Sequence, residues 1–168
     1  MFRIFRNYRL ALPALIAILT ACHPAVGCAQ AGKPAVAHLQ YAHMGDFKLE
    51  NGRSIDQCTI AYQTFGNLNK EKNNVVLFPT WFTGTSMDLL PFVPGKLIDT
   101  TRFFLILVDA LGDGLSSSPS NSHTQPGIQF PAFSIHDMVE SEYVLLTAHL
   151  NITHVYACLL YTSDAADE

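Results

Sequence analysis

The segment Phe103-Phe104-Leu105-Ile106-Leu107-Val108 constrains the fold more than any other part of the sequence. It has neither the alternation of a half-solvated strand nor the spacing of an amphipathic helix. A continuous apolar run with β-branched and aromatic members predicts a strand covered on both faces, as in parallel sheets flanked by helices. The run stops at Asp109 and enters a loop rich in Gly and Ser that reaches Pro119. In an open α/β sheet, the loop leaving the carboxyl end of such a strand borders the ligand crevice. Gly112 and Gly114 allow backbone angles closed to other residues and a close approach to a bound molecule. Asp109, Gly112, Gly114 and Ser116 are therefore candidates for the edge of a site. The loop shapes that site but carries no catalytic machinery of its own.

At 168 residues, 49% apolar and 14% charged, the chain has the composition of a globular protein. A net charge of −4 and no Lys/Arg cluster past Arg9 argue against a nucleic-acid surface. The start reads as a targeting segment. Arg3, Arg6 and Arg9 precede an apolar run from Leu10 to Leu19, a length typical of signal peptides and short for a bilayer span. Leu19-Thr20-Ala21-Cys22 matches a bacterial lipoprotein signal, which would make Cys22 a lipidated residue. Ala29-Gln30-Ala31 offers an ordinary cleavage site instead, and an uncleaved anchor is the third reading. Residues 1–31 are thus expected to be a signal peptide on an exported protein, periplasmic, lipid-anchored at the outer membrane, or secreted. Membrane contact is expected only through that anchor. Cys22, Cys28, Cys58 and Cys158 show no metal-ligand spacing, and Cys58 reads as a small buried hydrophobe. No metal or cofactor is predicted.

Residues 32–44, small and polar, read as a linker. Phe47 to Arg53 predicts a hairpin with Asn51-Gly52 at its turn, returning as a strand over Cys58 to Phe65. Val75 to Phe78 predicts a short buried strand, and Ser86 to Leu90 a helical turn. Ser134 to Leu150 predicts a helix, with Ser134 and Asp137 as a capping box and an apolar stripe of Ile135, Met138, Val139, Leu145 and Leu146 at helical spacing. His154 to Ala157 reads as the next parallel strand, completing a right-handed βαβ unit. Pro119 to Pro131 is a long loop.

The spacing of Asp109, Gly112, Gly114, Ser116 and Pro119 resembles the post-strand loop of many α/β hydrolases. Gly45 to Gly52, Ile60 to Asn69, Phe82-Thr83-Gly84, Pro94 to Thr100, Val108 to Leu111 and Phe130 to Val139 together resemble the homoserine O-acetyltransferase branch of that superfamily. The resemblance covers residues 45–157. It implies an α/β fold of α/β-hydrolase type: the N-terminal half of a mostly parallel sheet, opened by an antiparallel hairpin and incomplete.

It also implies a double displacement, with a Ser on a G-x-S-x-G elbow, a His that activates it and an Asp that orients the His. The elbow is due after the strand at His154. There the sequence reads Cys158 to Glu168, in which Ser163 has no flanking glycines. Residues 158–168 resemble translated adapter read-through at the end of a gene fragment, so the genuine sequence is expected to depart from them near Ala157. Nucleophile, Asp and His are then absent, and the chain as written is expected to be inert and poorly stable.

One catalytic element implied by the resemblance falls within the sequence. An oxyanion-hole N–H comes from Phe82, with Thr83 and Gly84 completing the turn. Asp109 reads either as a catalytic acid or, preferentially, as a loop cap. Gly112 and Gly114 do not make a dinucleotide loop, because no helix opens after them. His123, His136, His149 and His154 have no fixed partners in the sequence, and Ser116 to Ser118 read as turn formers. The expected function is an exported enzyme of acyl-ester chemistry, hydrolase or acyltransferase, acting on a small acyl ester without cofactor. The alternative is a non-catalytic exported lipoprotein or binding module.

Overall fold

The computed structural model describes residues 38–81 and 83–159. The expected targeting segment with Cys22, residues 32–37 of the expected linker, Phe82, and Ser163 with residues 160–168 lie outside the described residues.

Five strands among the described residues form one sheet: β1 (Gln40–Lys48), β2 (Ser54–Phe65), β3 (Val75–Pro79), β4 (Phe104–Val108) and β5 (Ala157–Cys158). Their spatial order is β1-β2-β4-β3-β5. β2 is antiparallel to β1 and β4, whereas β3 is parallel to β4 and β5. All strands but β2 therefore run one way, the expected α/β sheet with an antiparallel start.

The β1–β2 hairpin turns at Asn51-Gly52, as the sequence predicts. Gly52 sits at φ +82° and donates to the Leu49 carbonyl at 3.0 Å, a left-handed position suited to glycine. Pairing extends further than expected. Gln40 lies opposite Tyr62 and Ala42 opposite Ile60, so Gln40 to Met44 belong to β1 rather than to a linker. Ladder bonds are made by the backbone whatever the side chain, and buried Ala42 fits against Ile60 because it is small.

β4 is buried on both faces, as its apolar run requires. Leu105 and Leu107 pack with Val76, Phe78, Leu89 and Val93 on one side. Ile106 and Val108 pack with Ile60, Leu77, Leu145 and Ile152 on the other. Fully burying each such side chain contributes about 1.5–3 kcal/mol. The short helix α1 (Ser86–Leu89) belongs to the first side and the helix α2 (Ile135–Val144) to the second.

α2 begins where its capping box predicts. Ser134 Oγ accepts from the Asp137 N–H at 3.2 Å, and Asp137 Oδ2 accepts from the Ser134 N–H at 2.9 Å. Its rotation differs from the expected stripe. Ile135 and Val139 are exposed, and the inward face carries Asp137, Ser141 and then Leu145. The cause is a distant bond: Asp137 Oδ1 also accepts the Glu50 N–H of the hairpin turn at 2.8 Å. That tie turns Asp137 inward and leaves Ile135 and Val139 outside, whereas Met138, Leu145 and Leu146 of the expected stripe pack against the core. After Val144 the helix widens into a π-type turn over Leu145–His149. His136 stays at the surface, 3.6 Å from the Glu50 carboxylate. β5 starts at Ala157 rather than His154, and its pairing runs through Cys158 to the Leu159 N–H, which donates to the Leu77 carbonyl at 2.9 Å.

Asp137→Ala is expected to cost about 1–3 kcal/mol by removing the cap and leaving the Glu50 N–H unpaired. Burial alone would raise the Asp137 pKa, but the N–H groups of Ser134 and Glu50 and the Ser134 hydroxyl outweigh it and hold the carboxyl below its ordinary range. This contribution is present above about pH 4 and is lost as pH falls through the lowered native value. Urea unfolding at neutral and acid pH checks it. Identical stability of variant and unaltered chain at neutral pH contradicts the tie.

Candidate active site

Leaving β3, the chain turns towards the face of Leu105 and Leu107; leaving β4, it passes to the opposite face through residues 109–134. Adjacent parallel strands whose loops diverge in this way open a crevice at their carboxyl ends. The candidate site lies there.

Asp109 is its hub. It is fully buried, and its N–H donates to the Ala61 carbonyl at 2.9 Å. Its Oδ1 accepts the Ser86 N–H at 2.6 Å. Ser86 Oγ accepts from Gln63 Nε2 at 2.8 Å, so a buried polar chain runs from β2 through α1 to β4. At the near end of the same turn, the Thr80 N–H donates to the Val108 carbonyl at 2.9 Å, and Thr80 Oγ1 accepts the Ala110 N–H at 3.1 Å. Residues 80–86 thus hang from β4 at both ends. Within this turn the Gly84 N–H donates to the Trp81 carbonyl at 3.1 Å. A Cβ at Gly84 would overlap the Trp81 ring, so a larger residue there has to displace that ring. Thr83 is exposed on it. Asp109 accordingly caps a loop, as preferred from sequence, but the loop is the one after β3 rather than its own.

Its own loop is laced to β2. Ser116, fully buried, donates from Oγ to the Asp109 carbonyl at 2.6 Å and accepts the Ala61 N–H at 2.9 Å. Ser117 Oγ accepts the Thr59 N–H at 2.8 Å. These hydroxyls are spent on structure. Gly112 sits at φ +92°, where a Cβ would lie 2.8 Å from the Phe133 ring, and Gly114 sits at φ +102°. Asp113 Oδ1 accepts the Leu115 and Ser116 N–H groups at 2.8 and 2.9 Å. Burial pushes the Asp113 carboxyl up to about 7, and it raises Asp109 as well.

Thr80, Ser86, Gln63 and Asp113 were not singled out from the sequence. Gln63 alone carried a signal, an amide in the mostly apolar run from Ile60 to Phe65. Burial pushes the Cys58 thiol up to about 11, opposite to what an activated nucleophile needs. Among the described residues no group of three His, Cys, Asp or Glu could hold a metal ion. An open cleft of about 400 Å³ lies off to one side, between β1, β2 and residues 114–124, with His43, Asp56 and His123 on its walls. Unlike the crevice, it is walled by none of the residues that follow β3.

No family model matches the chain. It is 36% identical over 113 residues to an ethyl acetate hydrolase of Pseudomonas veronii, an alignment covering 66% of this chain and 32% of that protein. It is 34% identical over 149 residues to a homoserine O-acetyltransferase of Methanosalsum zhilinae, covering 76% of this chain and 30% of the relative. The crystal structure of an acetylester hydrolase from Corynebacterium glutamicum superposes with a TM-score of 0.69 at 32% identity, covering 73% of this chain and 36% of that one. The chain spans about a third of the length of these relatives. With its strand order and the crevice at β3 and β4, it belongs to the α/β-hydrolase superfamily, as an N-terminal part of the branch shared by homoserine O-acetyltransferases and related esterases.

Proposed function

We propose that this chain is the N-terminal part of an exported enzyme that hydrolyses small acyl esters. The observation that carries the reading is the turn over residues 80–86, fixed to β4 at both ends where the two loops diverge. A turn held in this way can aim backbone N–H groups at the charge that develops on an acyl carbonyl oxygen, with no reorganisation at the moment of reaction. The hydrolase and esterase relatives support ester chemistry; the acetyltransferase relatives support transfer of the same acyl group. The basic and apolar start supports export, and acyl-CoA is a cytoplasmic donor, which favours water as the acceptor. The nucleophile has to come from outside this turn, because no G-x-S-x-G occurs in the 168 residues.

The 168-residue chain is therefore expected to cleave p-nitrophenyl acetate no faster than buffer, and enzyme-like turnover would overturn the reading. The gene read in frame past the codon for Ala157 is expected to supply an elbow serine. The resulting protein should cleave p-nitrophenyl acetate. Robust acetyl transfer from acetyl-CoA to homoserine with negligible ester cleavage would overturn the choice of hydrolysis.

A further inference from the structure

Asp109 and Asp113 each spend one carboxylate oxygen on backbone N–H groups: Asp109 on Ser86, Asp113 on Leu115 and Ser116. The second oxygen of each, Oδ2, is buried and meets no N–H or O–H donor among the described residues. Ser116 ties the two residues together, its N–H on Asp113 Oδ1 and its hydroxyl on the Asp109 carbonyl, and the two carboxyls interact with each other. Two ionised carboxylates are acceptors only, so they cannot bond to one another, and in a poorly solvated pocket they repel. One proton removes both difficulties, since a neutral carboxyl donates to a charged partner in a short, strong bond.

The geometry points to Asp113 as a positioning residue, kept as the neutral acid and donating its proton to Asp109, which in turn holds the Ser86 N–H and the turn over residues 80–86. Its purpose at the turn rests on the ester-chemistry reading; the shared proton does not. The assignment of donor follows from the surroundings. Asp109 is fully buried and receives the short Ser86 bond, which stabilises its anion. The Ser86 hydroxyl also favours the Asp109 anion, which leaves Asp113 to close the bond as the acid. Burial raises both carboxyls, and Asp88 on α1 adds a negative charge facing Asp109 that further favours retention of a proton. Among the described residues no Lys, Arg or His pairs with either carboxyl.

The native pair holds a proton that the unfolded chain releases near an ordinary Asp value. Stability from this source is full at acid pH and falls as pH rises from about 4 to about 7. Glu142, also raised to about 7 by burial, adds a slope of the same sign and needs its own control. Above that range the pair is doubly charged, and its hold on Ser86 weakens. Trp81, the one tryptophan of the sequence, lies over Gly84 in the turn and reports on it.

The test is a titration of the full 168-residue chain from about pH 5 to about pH 9, following Trp81 emission and the carboxyl resonances of ¹³C-labelled aspartate. The unaltered chain is expected to show one emission step with a midpoint near 7, matched by an aspartate resonance with the same midpoint. In D113N the amide oxygen keeps the Leu115 and Ser116 bonds, and its NH₂ donates to Asp109 at every pH. The step should vanish there and survive in E142Q. A step that persists in D113N, or aspartate resonances that all titrate at ordinary values in a chain that unfolds cooperatively in urea, overturns the proposal. No readout depends on ester turnover. A protein that titrates as expected and cleaves no ester therefore sinks the function and spares the pair.

Discussion

Gly66→Ala is expected to destabilise the fold by more than about 3 kcal/mol. Gly66 ends β2 at φ +81°, and a Cβ there would strike the carbonyl oxygens of Phe103 and Thr100. Both obstacles are backbone, so relief requires pulling the end of β2 away from the start of β4. That movement would break the Phe65–Leu105 pairing that ends the β2–β4 ladder. Gly45→Ala is the control, because Gly45 has φ +69° with no atom within 4 Å of an added Cβ. It should cost only the left-handed penalty, about 1–2 kcal/mol. Urea denaturation of both variants separates strain from collision. Equal losses would show that Gly66 is not closely packed.

Ile106→Ala is expected to cost about 2–5 kcal/mol. Ile106 is fully buried at the centre of β4, between Thr64 of β2 and Leu77 of β3, and belongs to the larger apolar cluster. Backbone pairing on both sides holds the strand in place and limits collapse into the space left behind, which puts the loss towards the upper end. Ile128→Ala, at a fully exposed position, should stay within about 0.5 kcal/mol. A loss below about 1 kcal/mol at Ile106 would mean that the two faces of the sheet are not packed as described.

Both predictions bear on the site, because the crevice depends on β3 and β4 ending side by side. Loosening either strand shifts Thr80 against Ala110, and Ser86 against Asp109. Those contacts carry the turn to which the proposed chemistry is assigned. Stability and function are therefore linked here through backbone position rather than through a catalytic side chain.

Local sequence determined much of this protein. The apolar runs at Val75–Phe78 and Leu105–Val108 become doubly buried strands, Asn51-Gly52 makes the turn, and Ser134 with Asp137 caps α2. Each of these is set by neighbours a few residues away, so periodicity and turn chemistry reveal it. Tertiary structure alone decided the rest. It rolled Ile135 and Val139 outward because Asp137 met Glu50, 87 residues distant. It brought Ser86 to Asp109 across 23 residues, left no room at Gly66, and buried the second carboxyl oxygens of Asp109 and Asp113. Contacts between distant residues leave no periodic trace, and whether a carboxyl is charged depends on the solvent that folding removes.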